Sequence, residues 1–187
     1  MNVIETQLPG VVLLELQRHE DARGELTELF HAPRYVQAGI TLPFVQDNWS
    51  HSRKGVLRGL HLQQRYPQGK LVTVLQGHIW DVVVDMNPAS PTFAQHVAVD
   101  LYAPDTPEKP WRQLWVPPGY AHGFCVLSSS ADVLYKCTDV YHPQDEGGVL
   151  WSDLQLDIAW PIKQPLVSER DQHLPTVQAW LDRQPRP

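Results

Sequence analysis

The sequence predicts an all-β fold, a sandwich or barrel of short strands with short peripheral helices. Three observations predict it. Across 187 residues, 17 prolines and 11 glycines are spread from end to end, short apolar runs recur between them, and helix signals are weak over the first 160 residues.

Taken in order, the strand-like segments are Val11–Leu16, Glu25–Phe30, Phe44–Ser50, Val56–Gln63, Lys70–Gln76 and His78–Asp85. His96–Asp100, Arg112–Val116, His122–Leu127, Ala131–Thr138 and Leu154–Ile158 continue the series. The apolar runs Leu71–Leu75 and Trp80–Val84 straddle the turn dipeptide Gln76-Gly77 and read as a hairpin buried on both faces, inside a sandwich or barrel. Two short helices are expected, His31–Ala38 and Pro175–Arg183. The Pro-rich stretch Pro104–Pro110 reads as a surface loop, because strand-like sequence continues on both sides of it. With no internal repeat or linker, residues 1–187 are expected to form a single domain.

Composition narrows the function. A formal net charge of −6 argues against a nucleic-acid surface, so a bound anion requires a local basic cluster, for which Arg23, Arg58 and Lys70 are candidates. No apolar run reaches membrane-spanning length, and Met1–Gly10 has neither a basic nor an apolar leader region, so no membrane association and a cytoplasmic location are expected. Cys125 and Cys137 are too few for a disulfide framework and are expected to be reduced thiols in or near the core.

Four constellations carry chemistry. In Leu57-Arg58-Gly59-Leu60-His61, strict alternation would send Arg58 and His61 to opposite faces, and a bend or bulge at Gly59 would let both serve one pocket. His61 alone is an ordinary core or surface histidine; an arginine fork on the same strand, suited to phosphate or carboxylate, changes that reading. In Pro117-Pro-Gly-Tyr-Ala-His122-Gly-Phe124, a turn delivers a histidine to the start of an apolar strand, as in cupin barrels. The metal half of that pattern is altered, because Lys70 stands where a glutamate ligand is expected and Gly59 where a histidine is. A protonated lysine repels a divalent cation, so an organic proton-transfer site is expected in place of a metal. Tyr135 and Tyr141, six apart, are expected on one strand face, as a phenol and a stacking ring or as core packing. Ser168-Glu-Arg-Asp171 is a solvated loop unless the fold returns Asp171 to His61, where a carboxylate would fix the imidazole tautomer.

These motifs, with Asp21-Ala-Arg-Gly-Glu-Leu-Thr-Glu28, Gln46-Asp-Asn-Trp-Ser50, Gln68-Gly-Lys70 and Tyr135-Lys-Cys-Thr-Asp-Val-Tyr141, occur in one order over nearly the whole chain. In that order they resemble the dTDP-4-dehydrorhamnose 3,5-epimerase family. The resemblance implies a cupin-type jelly-roll barrel, a homodimer, and an active site inside the barrel with no metal or organic cofactor. It implies epimerisation of C3 and C5 of dTDP-4-keto-6-deoxy-D-glucose to dTDP-4-keto-L-rhamnose. Carried over by position, His61 looks like the base, Asp171 its orienting partner, Tyr135 the acid on the opposite ring face, and Lys70 the stabiliser of the enolate oxygen. Arg23 and Arg58 resemble diphosphate contacts and Tyr141 the ring that stacks on thymine. Glu28, Gln46, Asp47, Asn48, His122, Glu146 and Arg170 align with further substrate contacts. Leu26 and Trp49 depart from the family pattern, where an aromatic and a smaller or imidazole side chain respectively are common.

Sister readings on the same barrel are a single-carbon epimerase and a 3,4-ketoisomerase; Tyr135 together with His61 favours inversion. A metal-dependent cupin is disfavoured by Lys70 and Gly59, and a non-catalytic sugar-nucleotide-binding module would make the His, Tyr, Lys and Asp coincidental.

Overall fold

In the computed structural model, which describes residues 1–106 and 109–183, two main sheets dominate the fold. The elements begin with β1 (Asn2–Glu5), β2 (Val12–Glu15), β3 (Arg18–Asp21), β4 (Gly24–Thr27) and α1 (Ala32–Gln37). They continue with β5 (Gln46–Arg53), β6 (Val56–Gln63), β7 (Lys70–Gln76), β8 (His78–Asp85), β9 (His96–Tyr102) and β10 (Arg112–Val116). The last are β11 (Tyr120–Val126), β12 (Ser130–Cys137), β13 (Glu146–Gly148), β14 (Leu166–Val167), α2 (Glu169–Gln172) and α3 (Val177–Leu181). One sheet has the order β1-β2-β10-β7-β12-β5; the other runs β13-β6-β11-β8-β9, with β14 added parallel to β6. A separate ribbon pairs β3 with β4. This is the all-β, cupin-like architecture expected, with short peripheral helices.

Period-two alternation distributes the side chains between the layers. Val72, Val74, Leu114 and Val133 of the first sheet share an apolar cluster with Ile79, Val83, Phe124 and Val126 of the second, which fills the space between them. The intervening residues face outward and are covered too. Leu71 and Trp115 pack against Tyr35 of α1, while Val82 and Val84 pack against Val149, Leu156 and the α3 residues Val177 and Trp180. Covering both faces explains why β7 and β8 read as continuous apolar runs.

The β7–β8 pair is nevertheless not a hairpin. β7 pairs with β10 and β12, and β8 with β11 and β9, so Gln76-Gly77 carries the chain from one sheet to the other. Turn chemistry marks a change of direction, and the same dipeptide serves a sheet crossing. The expected strand Leu154–Ile158 is also absent: the Asp153 carboxylate accepts the Gln155 amide at 2.9 Å and the Val177 amide at 2.6 Å, forming a turn. Leu154 is left 94% exposed, which an inward-facing strand position would not allow. Of the expected loop 104–110, residues 107 and 108 lie outside the described residues, as do residues 184–187 of the single domain expected over 1–187. No described helix is long and apolar enough to cross a membrane.

The bulge expected at Gly59 is present. His122 pairs with His61 and Phe124 with Arg58, so three steps on β6 oppose two on β11. Gly59 has φ +115°, and a Cβ there would lie 2.6 Å from the Gly123 Cα and 2.7 Å from the His122 carbonyl oxygen. Gly123 is equally confined, with the Arg58 carbonyl oxygen 2.5 Å from its would-be Cβ. Gly59→Ala should therefore lower stability by at least ~2 kcal/mol, combining left-handed backbone strain with a backbone clash. A urea midpoint within error of wild type would show that β6 and β11 can separate without cost.

Candidate active site

Phe124 and Tyr135 border the inter-sheet filling and also line a cavity of about 400 Å³. Its walls come from both sheets: Arg58 and His61 from β6 and His122 from β11 on one side, Lys70 from β7, Tyr135 and Cys137 from β12, and Gln46, Asn48 and Ser50 from β5 on the other. Tyr141 and Glu146 also line it. The bulge puts Arg58 and His61 on one pocket, as the Gly59 argument anticipates.

His61 is joined to Asp171 across 110 residues of sequence, with Nε2 2.7 Å from Oδ1. Local structure delivers the carboxylate. β14 pairs in parallel with Val56 and Leu57 of β6, Ser168 then caps α2 by accepting the Asp171 amide at 3.1 Å, and Asp171 falls in the first turn. Its second oxygen accepts the Gly59 amide at 3.1 Å, so the same bulge that turns β6 anchors the partner of His61. Burial works to raise the Asp171 carboxyl, but the hydrogen bond and charge of His61, the Gly59 amide and Ser168 outweigh it and hold it below the ordinary carboxylate range.

Tyr135 stands on the opposing sheet with its hydroxyl 3.3 Å from Ser50 Oγ. Burial pushes its phenol well above the ordinary value, with Ser50 and Arg58 opposing, so it is a proton carrier at neutral pH. Lys70, beside Cys137 across the β7–β12 pairing, is shifted downward by burial while the charges of Glu146 and Asp81 oppose that shift. Its ammonium donates to no protein acceptor among the described residues. The two cysteines are free and buried, and burial lifts the Cys137 thiol to about 11.

At the mouth, Arg58 Nε donates to Ser52 Oγ at 2.9 Å, and Arg170 donates to Glu146 at 2.6 Å. Tyr141 also donates its hydroxyl to Glu146 and its amide to Gln46 Oε1 at 2.9 Å. Tyr141 lies beyond the end of β12, so it does not share a strand face with Tyr135 as expected; the loop returns it to the cavity. Trp49, 62% exposed, is on the rim.

Besides Arg170, which meets the lining through Glu146, three expected contacts are not brought to the cavity within one chain. Asp47 lies between the lining residues Gln46 and Asn48 and points to the other sheet face, where Lys136 holds it at 2.8 Å. Arg23 projects from the β3–β4 ribbon, which joins neither main sheet, and pairs with Asp21 at 2.6 Å. Glu28, just after that ribbon, pairs with Arg34 at 2.6 Å. Leu26 is likewise on the ribbon and 73% exposed.

One buried group escaped the sequence reading. Asp81 of β8 has its two carboxyl oxygens 2.9 and 3.0 Å from His122 Nε2. Its signal was a carboxylate inside the apolar run Trp80–Val84, since a fully buried charge requires a partner. Among the described residues no group of three or more His, Cys, Asp or Glu side chains is arranged to hold a metal ion.

The family model described as dTDP-4-dehydrorhamnose 3,5-epimerase matches residues 5–179. A dTDP-4-dehydrorhamnose 3,5-epimerase of Shigella flexneri is 47% identical over 91% of this chain and 93% of its own length. The fold is similar to that of a dTDP-6-deoxy-D-glucose-3,5-epimerase from Legionella pneumophila Philadelphia 1 in complex with dTDP-4-keto-L-rhamnose: TM-score 0.89 and 47% identity, covering 95% of this chain and 93% of that one. It is also similar to a 3'-monoepimerase from Streptomyces bikiniensis in complex with dTDP-quinovose, with TM-score 0.87 and 30% identity over 96% of this chain and 89% of that one.

The site carries an acid-sensitive signature. Glu146, like Asp171, is held low: burial opposes ionisation, but Arg170, Tyr141 and His61 outweigh it. A carboxyl depressed in the folded state binds its proton more readily when unfolded, so its stabilisation is complete above the unfolded value, near pH ~4, and is lost as pH falls through the folded value. Urea midpoints measured from pH 7 to pH 3 should therefore fall less steeply at the acid end for an Asp171→Asn, Glu146→Gln double variant than for wild type. Parallel acid limbs would remove these two carboxyls as the source.

Proposed function

The chain belongs to the dTDP-4-dehydrorhamnose 3,5-epimerase family, and we propose that His61, Tyr135 and Lys70 carry that family's reaction here, inversion of C3 and C5 of dTDP-4-keto-6-deoxy-D-glucose to give dTDP-4-keto-L-rhamnose. The observation that carries the assignment of roles is that two proton-transfer groups face one cavity from opposite sheets, His61 on β6 and Tyr135 on β12. A single base removes and returns a proton on one side only. Inversion needs a second group across the ring.

His61, oriented by Asp171, takes the proton alpha to the C4 ketone. The negative charge then develops on the ketone oxygen, where the ammonium of Lys70, partly withdrawn from water, has its largest effect; removing one such donor typically costs about 10²–10³ in rate. Tyr135, protonated at neutral pH, returns a proton from the opposite wall, and general acid–base transfer of this kind contributes roughly 10²–10⁴. Because C3 and C5 both flank C4, one set of groups serves both carbons. Arg58 at the mouth suits the diphosphate and Tyr141 the thymine ring.

Arg23 and Glu28 fit this reading through the homodimer that the family resemblance implies, in which the β3–β4 ribbon of a second copy would bring them to the cavity. A cytoplasmic site of action, beside the nucleotide-sugar pool, completes the proposal.

In deuterated water with dTDP-4-keto-6-deoxyglucose, the protein should place deuterium at both C3 and C5, followed by NMR; exchange at one carbon only would make it a mono-epimerase. His61→Ala should lose at least ~10² in turnover. Tyr135→Phe should still exchange protons through His61 while inverting poorly, and normal inversion by that variant would assign the acid to water or another residue.

A further inference from the structure

The stability of the fold does not account for Asp81. Its side chain is 0% exposed and that of its partner His122 is 3% exposed, and replacing a buried ion pair by apolar residues of similar volume is often neutral or stabilising. The strand face Asp81 shares with Ile79 and Val83 is apolar on either side of it, so a hydrophobic residue would suit the filling. What distinguishes the position is its neighbour. His122 lines the cavity, its ring meets that of Tyr135 edge-on with centroids 6.1 Å apart, and the charge of Asp81 also reaches Lys70.

The geometry of the pair identifies its protonation. Nε2 sits almost equally between the two Asp81 oxygens, at 2.9 and 3.0 Å, which is how an N–H addresses an ionised carboxylate. A carboxylic acid donating to the ring would draw one oxygen closer than the other. Burial raises the Asp81 carboxyl overall, with His122 and Lys70 opposing, so the anion is assigned on the symmetric contact. With Nε2 so occupied, Nδ1 is the ring nitrogen that has no protein hydrogen bond among the described residues.

We propose that Asp81 is a positioning residue for the epimerase reaction: by accepting the Nε2 proton it fixes His122 in the Nε2–H tautomer, so that Nδ1 meets the sugar as a hydrogen-bond acceptor. The carboxylate acts through His122 and does not touch substrate. This inference rests on the epimerase reading. It gives the cavity two histidine–aspartate pairs with different duties: His61–Asp171 exchanges a proton, and His122–Asp81 holds one still so that the sugar lies between His61 and Tyr135.

Two measurements test it. In wild-type protein labelled with ¹⁵N-histidine, the His122 resonances at neutral pH should show Nε2 protonated and Nδ1 bare; a protonated Nδ1, in a neutral or a charged ring, overturns the proposal without any variant. Asp81→Asn keeps the shape, but its amide can present a donor to Nε2, so the ring should shift toward Nδ1–H. With it kcat/KM should fall at least ~10-fold, while the affinity for dTDP, which lacks the sugar, stays within about 2-fold. Turnover like wild type, a loss of activity with the tautomer unchanged, or dTDP affinity falling in step with activity each overturns the proposal. The tautomer is read without turnover and wild-type turnover without the variant, so failure of this inference and failure of the epimerase reading leave different signatures.

Discussion

Where β6 and β11 pass each other at Gly59 and Gly123 there is no room for a side chain on either strand, and the site is built on that close approach. The bulge it permits shortens the count between Arg58 and His61 on the opposing strand, turning both into one cavity. It also leaves the Gly59 amide free of the ladder to hold Asp171. A backbone irregularity thus does three things: it aims the arginine, aims the histidine and tethers the carboxylate behind it. Larger residues at either glycine would disturb all three together, which couples the fold of this strand pair to its chemistry.

Around that contact the electrostatics are arranged by depth. Exposed pairs such as Arg23–Asp21 and Arg34–Glu28 lie on the outside, where water screens them and they contribute little. Inside the cavity most charges have an opponent: Asp171 for His61, Asp81 for His122 and, at longer range, for Lys70, and Arg170 for Glu146, while Arg58 donates to the Ser52 hydroxyl instead. Only the Lys70 ammonium lacks a direct protein acceptor among the described residues, so its donors are available to a ligand. Withdrawal from water strengthens such a donor at the same time as it makes its charge harder to maintain. The charges of Glu146 and Asp81 oppose that loss without cancelling it.

Much of this was legible in the chain. Val56–Gln63, Lys70–Gln76, His78–Asp85 and Arg112–Val116 coincide with β6, β7, β8 and β10, because residues buried on both faces leave an apolar run whose ends are marked by turns. The glycine between Arg58 and His61 foretold the bulge that turns both to one pocket. Less was visible where structure depends on distant partners. β14 is two residues long and exists only because β6 offers an edge, so its sequence carries no strand signal. The turn at Gln76-Gly77 reads the same whether the next strand pairs with the last or crosses to the other sheet. Leu154, Leu156 and Ile158 alternate like a strand, yet Asp153 captures the local amides first. Asp81 passed for one member of a buried run, since period-two patterning shows that a side chain points inward but not what it meets there.

The tether between His61 and Asp171 has a consequence for how the protein is made. The base is on a strand in the first third of the sequence, and its carboxylate arrives only with α2, near the end. Between them the chain must lay down both sheets, since β14 needs β6 as its edge and β6 needs β11 beside it. Contacts of such separation close late, after much loop entropy has been spent. Until residues 166–171 have found their edge on β6, His61 has no carboxylate to orient it, so the pairing of base and partner waits on the later of the two segments.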